Sequence, residues 1–85
     1  MNREEIIRSL KGIFSQYFNI TEEFREENFD KALTEYFFFD YSNLVYLYIL
    51  VEKTFHIRID SRQLTGYRFN TINDITKTIR ESILI

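Results

Sequence analysis

Near the start of the chain, apolar side chains recur at steps of three and four: Ile6, Ile7, Leu10, Ile13, Phe14, Tyr17 and Phe18. At 100° per residue these positions fall on one stripe, so the spacing predicts an amphipathic helix from about Arg3 to Phe18. Arg3, Glu4, Arg8, Lys11 and Gln16 lie largely off that stripe and can face water. A second helix is expected from about Asp40–Ser42 to Phe55, with Leu44, Leu47, Tyr48, Val51 and Phe55 as its core stripe. Its remaining faces are apolar too, through Val45, Tyr46, Ile49 and Leu50, and only Glu52 and Lys53 are charged between Ser42 and His56. A helix that is apolar all round is buried or meets a partner. The last helix starts after Asn70-Thr71, with Ile72, Ile75, Ile79 and Ile83 as its core face. Thr71 as N-cap with Asp74 three residues on is close to a capping box, and Lys77 and Arg80 fall towards the end where cations suit the helix dipole.

The connections carry their own signals. Phe55-His56-Ile57-Arg58-Ile59 alternates, which predicts a short extended linker with Phe55, Ile57 and Ile59 inward and His56 ending the helix. Asp60 or Ser61 can cap a short helix over Arg62, Gln63 and Leu64, which Gly66 would stop. The stretch 19–41 is the longest irregular segment and holds seven carboxylates against two cations, Arg25 and Lys31. A connection this long is usually functional or partly helical, and Phe24, Phe29, Ala32 and Leu33 are positioned to pin it to the core. Four consecutive aromatics close it, Tyr36-Phe37-Phe38-Phe39. They cannot all point inward from a loop, so the run either covers the core or contacts a partner or an acyl chain. The expected core comprises Ile7, Leu10, Phe14, Leu44, Leu47, Val51, Phe55, Ile57, Ile59, Leu64, Ile72, Ile75 and Ile79.

Composition then removes function classes. The chain has 85 residues, 45% of them apolar and 18% aromatic, enough for one small packed domain over 1–85. The formal charge of −2 supplies no basic stripe for nucleic acid. There is no cysteine and one histidine, His56, so disulfides, thiolate chemistry and a His-rich metal site are excluded. Two glycines cannot build a phosphate-cradling loop. The Glu22-Glu23 and Glu26-Glu27 pairs read as a solvated face, and the Asp/Asn ladder of a calcium loop is missing. No nucleophile–base pair stands out, so an enzyme is not expected. The charged start, Met1 to Glu5, does not read as a signal peptide, and no apolar run approaches the roughly 20 residues of a membrane span. A soluble, cytoplasmic protein is expected.

Order and spacing point to a family. The string Asp40-Tyr41-Ser42-Asn43-Leu44-Val45-Tyr46-Leu47, the continuation Val51-Glu52-Lys53-Thr54-Phe55-His56-Ile57-Arg58-Ile59, and the later Phe69-Asn70-Thr71-Ile72-Asn73-Asp74-Ile75 resemble the acyl carrier proteins. More narrowly, they look like the acyl-carrier-related proteins encoded with bacterial peptide-maturation systems of the bacteriocin type. The resemblance implies an all-α fold, an acyl-carrier-protein-like bundle of three main helices plus one short helix. It also implies a protein that does not catalyse. A hydroxyl at the start of the second helix would carry 4′-phosphopantetheine, attached by a phosphopantetheinyl transferase, and its thiol would hold an acyl or peptidyl thioester for biosynthetic or peptide-modifying enzymes. The positive end of a helix favours such a phosphodiester.

In the family that serine follows an Asp and precedes a Leu. Aligned on Phe55 without a gap, Asp40 matches the family Asp, but the serine position holds Tyr41 and Ser42 falls one residue late. A one-residue shift turns a helical position by about 100°. Ser42 is therefore both a candidate attachment site and a candidate N-cap, while Tyr41 reads as a partly buried loop ring. Carriers also dock through acidic residues of this helix; here only Asp40 and Glu52 keep that sign, so docking is expected to rely on Tyr46 and Ile49 with the Phe37, Phe38 and Phe39 run. Two expectations stand: a carrier modified on Ser42, or a carrier-like adaptor that has lost the prosthetic group and docks an enzyme, or its own copy as a homodimer.

Overall fold

The computed structural model describes residues 1–60, 62 and 69–83. Three helices form the body: α1 over Arg3–Phe18, α2 over Tyr41–Phe55 and α3 over Ile72–Ile83. A single 3-10 turn, Glu26–Asn28, interrupts the long first connection, and no strand occurs among the described residues. The chain is therefore all-α, as the periodicities require. The expected short helix lies outside the described residues except for Arg62, as does Leu64.

Each helix begins on a side-chain cap. Asn2 Oδ1 accepts the Glu5 amide at 2.9 Å and Glu5 Oε1 accepts the Asn2 amide at 3.2 Å, a reciprocal capping box. Asp40 and Asn43 repeat the device at α2, with the Asn43 amide donating to Asp40 at 2.8 Å. At α3 the Asp74 amide donates to Thr71 Oγ1 at 2.9 Å, as the sequence predicts. The first two helices end without glycine. Asn19 and His56 take the left-handed conformation, both at φ 55°, and their amides return to Phe14 and Glu52 carbonyls. His56 is thus the helix-end residue expected of it.

α1 packs against both α2 and α3. Ile6, Leu10, Ile13 and Phe14 meet Leu44, Leu47, Val51 and Phe55 and the α3 isoleucines 72, 75 and 79, all buried. Phe14 is the hub: its ring lies 5.0 Å from Phe24, 5.9 Å from Phe39 and 6.1 Å from Phe37. The long connection is thus part of the core, with Phe24, Phe29 and Leu33 buried as predicted. Backbone bonds hold it to the start of α3: the Leu33 amide donates to the Asn70 carbonyl at 2.8 Å and the Asn73 amide to the Phe29 carbonyl at 3.1 Å. Asn28, itself buried, satisfies the Glu23 carbonyl at 2.9 Å.

Two details depart from the expected packing, one on the α1 stripe and one at the margin of the core. Tyr17 leaves the α1 stripe and stays exposed, because Phe18 beside it takes the inward place against Phe39. Ile7 and Ile57 are half-buried, at the margin of the cluster. The linker after α2 does face Ile59 inward, and two α2 side chains secure it: the Tyr48 hydroxyl donates to the Ile59 carbonyl, and Glu52 Oε2 accepts the Ile59 amide at 2.9 Å. Loss of solvent around the Tyr48 phenol, then the neighbouring Glu52 carboxylate, hold its pKa above the ordinary tyrosine value.

Candidate docking site at the start of the second helix

The residue that caps α2 decides what the neighbouring hydroxyls can do. Asp40 is the N-cap, so Tyr41 is the first helical residue and Ser42 the second. Ser42 is therefore not the cap, contrary to one of its two sequence readings. The reason is competition: Asp40 is one residue nearer the extended loop and finds a reciprocal partner in Asn43, whose Oδ1 accepts the Asp40 amide at 3.0 Å.

Tyr41 lies directly after the Asp, in the slot that the carrier resemblance assigns to serine. It is 63% exposed and not the partly buried ring that was expected. A phenol on a long aromatic stem does not fit a prosthetic-group site made for a short primary alcohol. Ser42 is exposed and offers such an alcohol one position later on the helix.

Four residues after Ser42, Tyr46 is exposed, and Ile49 follows on the same stripe; both keep the open positions expected of docking residues. Tyr46 is not loose. Its ring meets Phe18 at 5.7 Å and Tyr17 at 5.9 Å, both edge-on, so the end of α1 buttresses it. The open apolar surface of α2 thus continues onto Tyr17, a residue the sequence pattern places on the apolar stripe of α1. What joins them is tertiary packing, which no local signal carries.

The aromatic run divides by alternation. Phe37 and Phe39 are buried against Phe14, which removes them from the expected docking set: they are core cover. Phe38 between them is 86% exposed and sits at φ 59°. For a residue with a Cβ, that left-handed backbone costs about 1–2 kcal/mol.

The acidic docking pair is also spent within the molecule. Asp40 caps its own helix and Glu52 holds the Ile59 amide. The α2 surface therefore presents rings and aliphatic groups with little free negative charge. Among the described residues no helix is long and apolar enough to cross a membrane, and no group of three or more His, Asp or Glu side chains could hold a metal ion. Comparison of the chain with protein-family models, with curated proteins and with solved structures gives no match.

Proposed function

We propose that this chain is a non-catalytic docking module, an adaptor with the helix order of an acyl carrier protein that works without the prosthetic group. It engages a biosynthetic or peptide-modifying enzyme of the cytoplasm through the exposed side of α2. The observation that carries this reading is Tyr41, at the first position of α2 directly after the Asp40 cap. The slot for the carrier hydroxyl is filled by a side chain of the wrong length. Support for the surface comes from Tyr46 and Ile49, large apolar groups left open on a helix whose opposite side is fully packed. Rigid, half-buried aromatics are the side chains that dominate interface energies.

One specific observation favours the modified carrier as the second reading. Ser42 is exposed and free of the capping role, so a transferase that tolerated the shift could reach it. Intact-mass spectrometry after co-expression with a broad phosphopantetheinyl transferase separates the two. The adaptor gives no mass increase, while Tyr41→Ser, which places a serine directly after the Asp as in the family, gains one pantetheine group. An increase in the wild type that vanishes in Ser42→Ala establishes the carrier instead. The docking face has its own test: Tyr46→Glu abolishes partner binding with unchanged helical circular dichroism, and retained binding refutes that face.

A further inference from the structure

The turn before α2 keeps a feature that folding does not ask for. A position with φ 59° is met without strain by glycine and at small cost by asparagine, yet it holds Phe38, whose ring points almost wholly into solvent. The neighbours cannot relax this geometry. Phe37 and Phe39 are both buried, and the Phe39 amide is tied to the Leu33 carbonyl at 2.9 Å. The fold thus holds an exposed aromatic ring in a strained, fixed place.

Beside that ring lies a shallow groove of about 280 Å³, lined by Ile20, Glu23, Tyr36, Phe37 and Phe38. Its walls are apolar, and its one ionisable charge is the Glu23 carboxylate; no cation lines it. The two basic groups of this loop are engaged: Lys31 lies over the Tyr36 ring at 4.2 Å from its centre, and Arg25 pairs with Glu27 at 3.6 Å. Glu22 and Glu35 add to the negative potential of the same exposed loop. A groove of this size takes one or two side chains, and its charge asks for a cation next to them.

We propose that this groove binds a short peptide segment of a partner protein that carries an apolar side chain next to a lysine or arginine. The apolar group packs between Phe38 and Ile20, and the cation sits near Glu23. The groove is lined by no residue of α2, and its test needs no partner enzyme, so the two can fail separately.

The test is an NMR titration of the full chain with three soluble eight-residue probe peptides, containing leucine with arginine, leucine with glutamate, and serine with arginine. The leucine–arginine peptide is expected to shift the amides of Ile20, Glu23 and Phe38 and to bind about tenfold tighter than either control, the scale of one well-formed anchor. Glu23→Gln weakens it several-fold. Phe38→Gly removes saturable binding while raising the melting temperature, a pairing that loss of fold cannot produce. Three results overturn the proposal: equal binding of the leucine–glutamate peptide, undiminished binding to Phe38→Gly, or shifts at the groove caused by self-association of the chain and unaffected by peptide.

Discussion

The starts of α1 and α2 use the same device and come to opposite ends. Both carry a reciprocal capping box, Asn2 with Glu5 and Asp40 with Asn43. After the first cap comes Arg3, whose guanidinium forks onto Glu26 at 2.8 and 3.1 Å and also donates to Asn73 Oδ1 at 3.2 Å. That one side chain ties α1 to the 3-10 turn and to α3. Asn73 completes the clasp through Asp30 at 2.7 Å. After the second cap come Tyr41 and Ser42, both exposed to solvent. One helix start is closed by the loop it holds, and the other is open. The same local signal therefore cannot tell whether a helix start is structural or available for binding; the residue that follows the cap, and what reaches it, decides.

The comparison breaks most severely at the hub that both ends share. Phe14→Ala removes the ring around which Phe24, Phe37 and Phe39 are packed and should cost about 3–5 kcal/mol. For a domain of this size that is most of the available stability. Urea denaturation followed by circular dichroism will show the chain largely unfolded in water, and a loss under 1 kcal/mol would mean that the aromatic loop is not part of the core. Tyr48→Phe and Asp40→Ala come next, each at about 1 kcal/mol, through the lost bond to the buried Ile59 and the lost cap. The same melts measure them.

Phe38→Gly has the opposite sign. Removing the left-handed strain should stabilise the chain by about 1 kcal/mol, a rise of about 4–8 °C in melting temperature for a domain this small. At the open end, Tyr41→Ser should change stability by less than about 0.5 kcal/mol because its ring is exposed. At the closed end, Arg3→Ala should lower the urea midpoint slightly, and the difference from wild type should fade in high salt, since the Arg3–Glu26 pair is open to water.

The smallest effect concerns pH. Hydrogen bonds from the Arg62 side chain and amide hold the Asp60 carboxyl down to about 2, below its ordinary value. A carboxyl whose folded pKa is depressed adds stability above its unfolded pKa and loses it as pH falls through the folded one. Asp60→Asn should therefore differ slightly from wild type at pH 6, and the difference should vanish between about pH 4 and pH 2. Glu26, lowered by its bond to Arg3, follows the same sign.

Much of this fold can be read along the chain. Helix α1 spans the predicted range, α2 starts within the expected 40–42, and α3 starts where Thr71 places it, because period 3.6 and a capping oxygen are local properties; only the choice of Asp40 over Ser42 as the α2 cap is not legible there. The four pins of the long connection were legible as apolar residues in an acidic stretch, and Phe24, Phe29 and Leu33 are buried there. The site was legible in part. Tyr46 and Ile49 could be named because an all-apolar helix must leave something uncovered. Phe37 and Phe39 could not be separated from Phe38, since adjacent phenylalanines look alike until a turn assigns one of them outward.

The order of polar and apolar side chains set the three main helices, the Thr71 cap of α3 and the place of Tyr41 directly after Asp40. Only the folded chain decided that Tyr17 joins Tyr46 on the surface, that Glu52 turns inward to Ile59, and that Phe38 is held in the left-handed region. These outcomes depend on partners 7 to 30 or so positions away in the chain, and a contact at that distance exists only once the core has closed around Phe14.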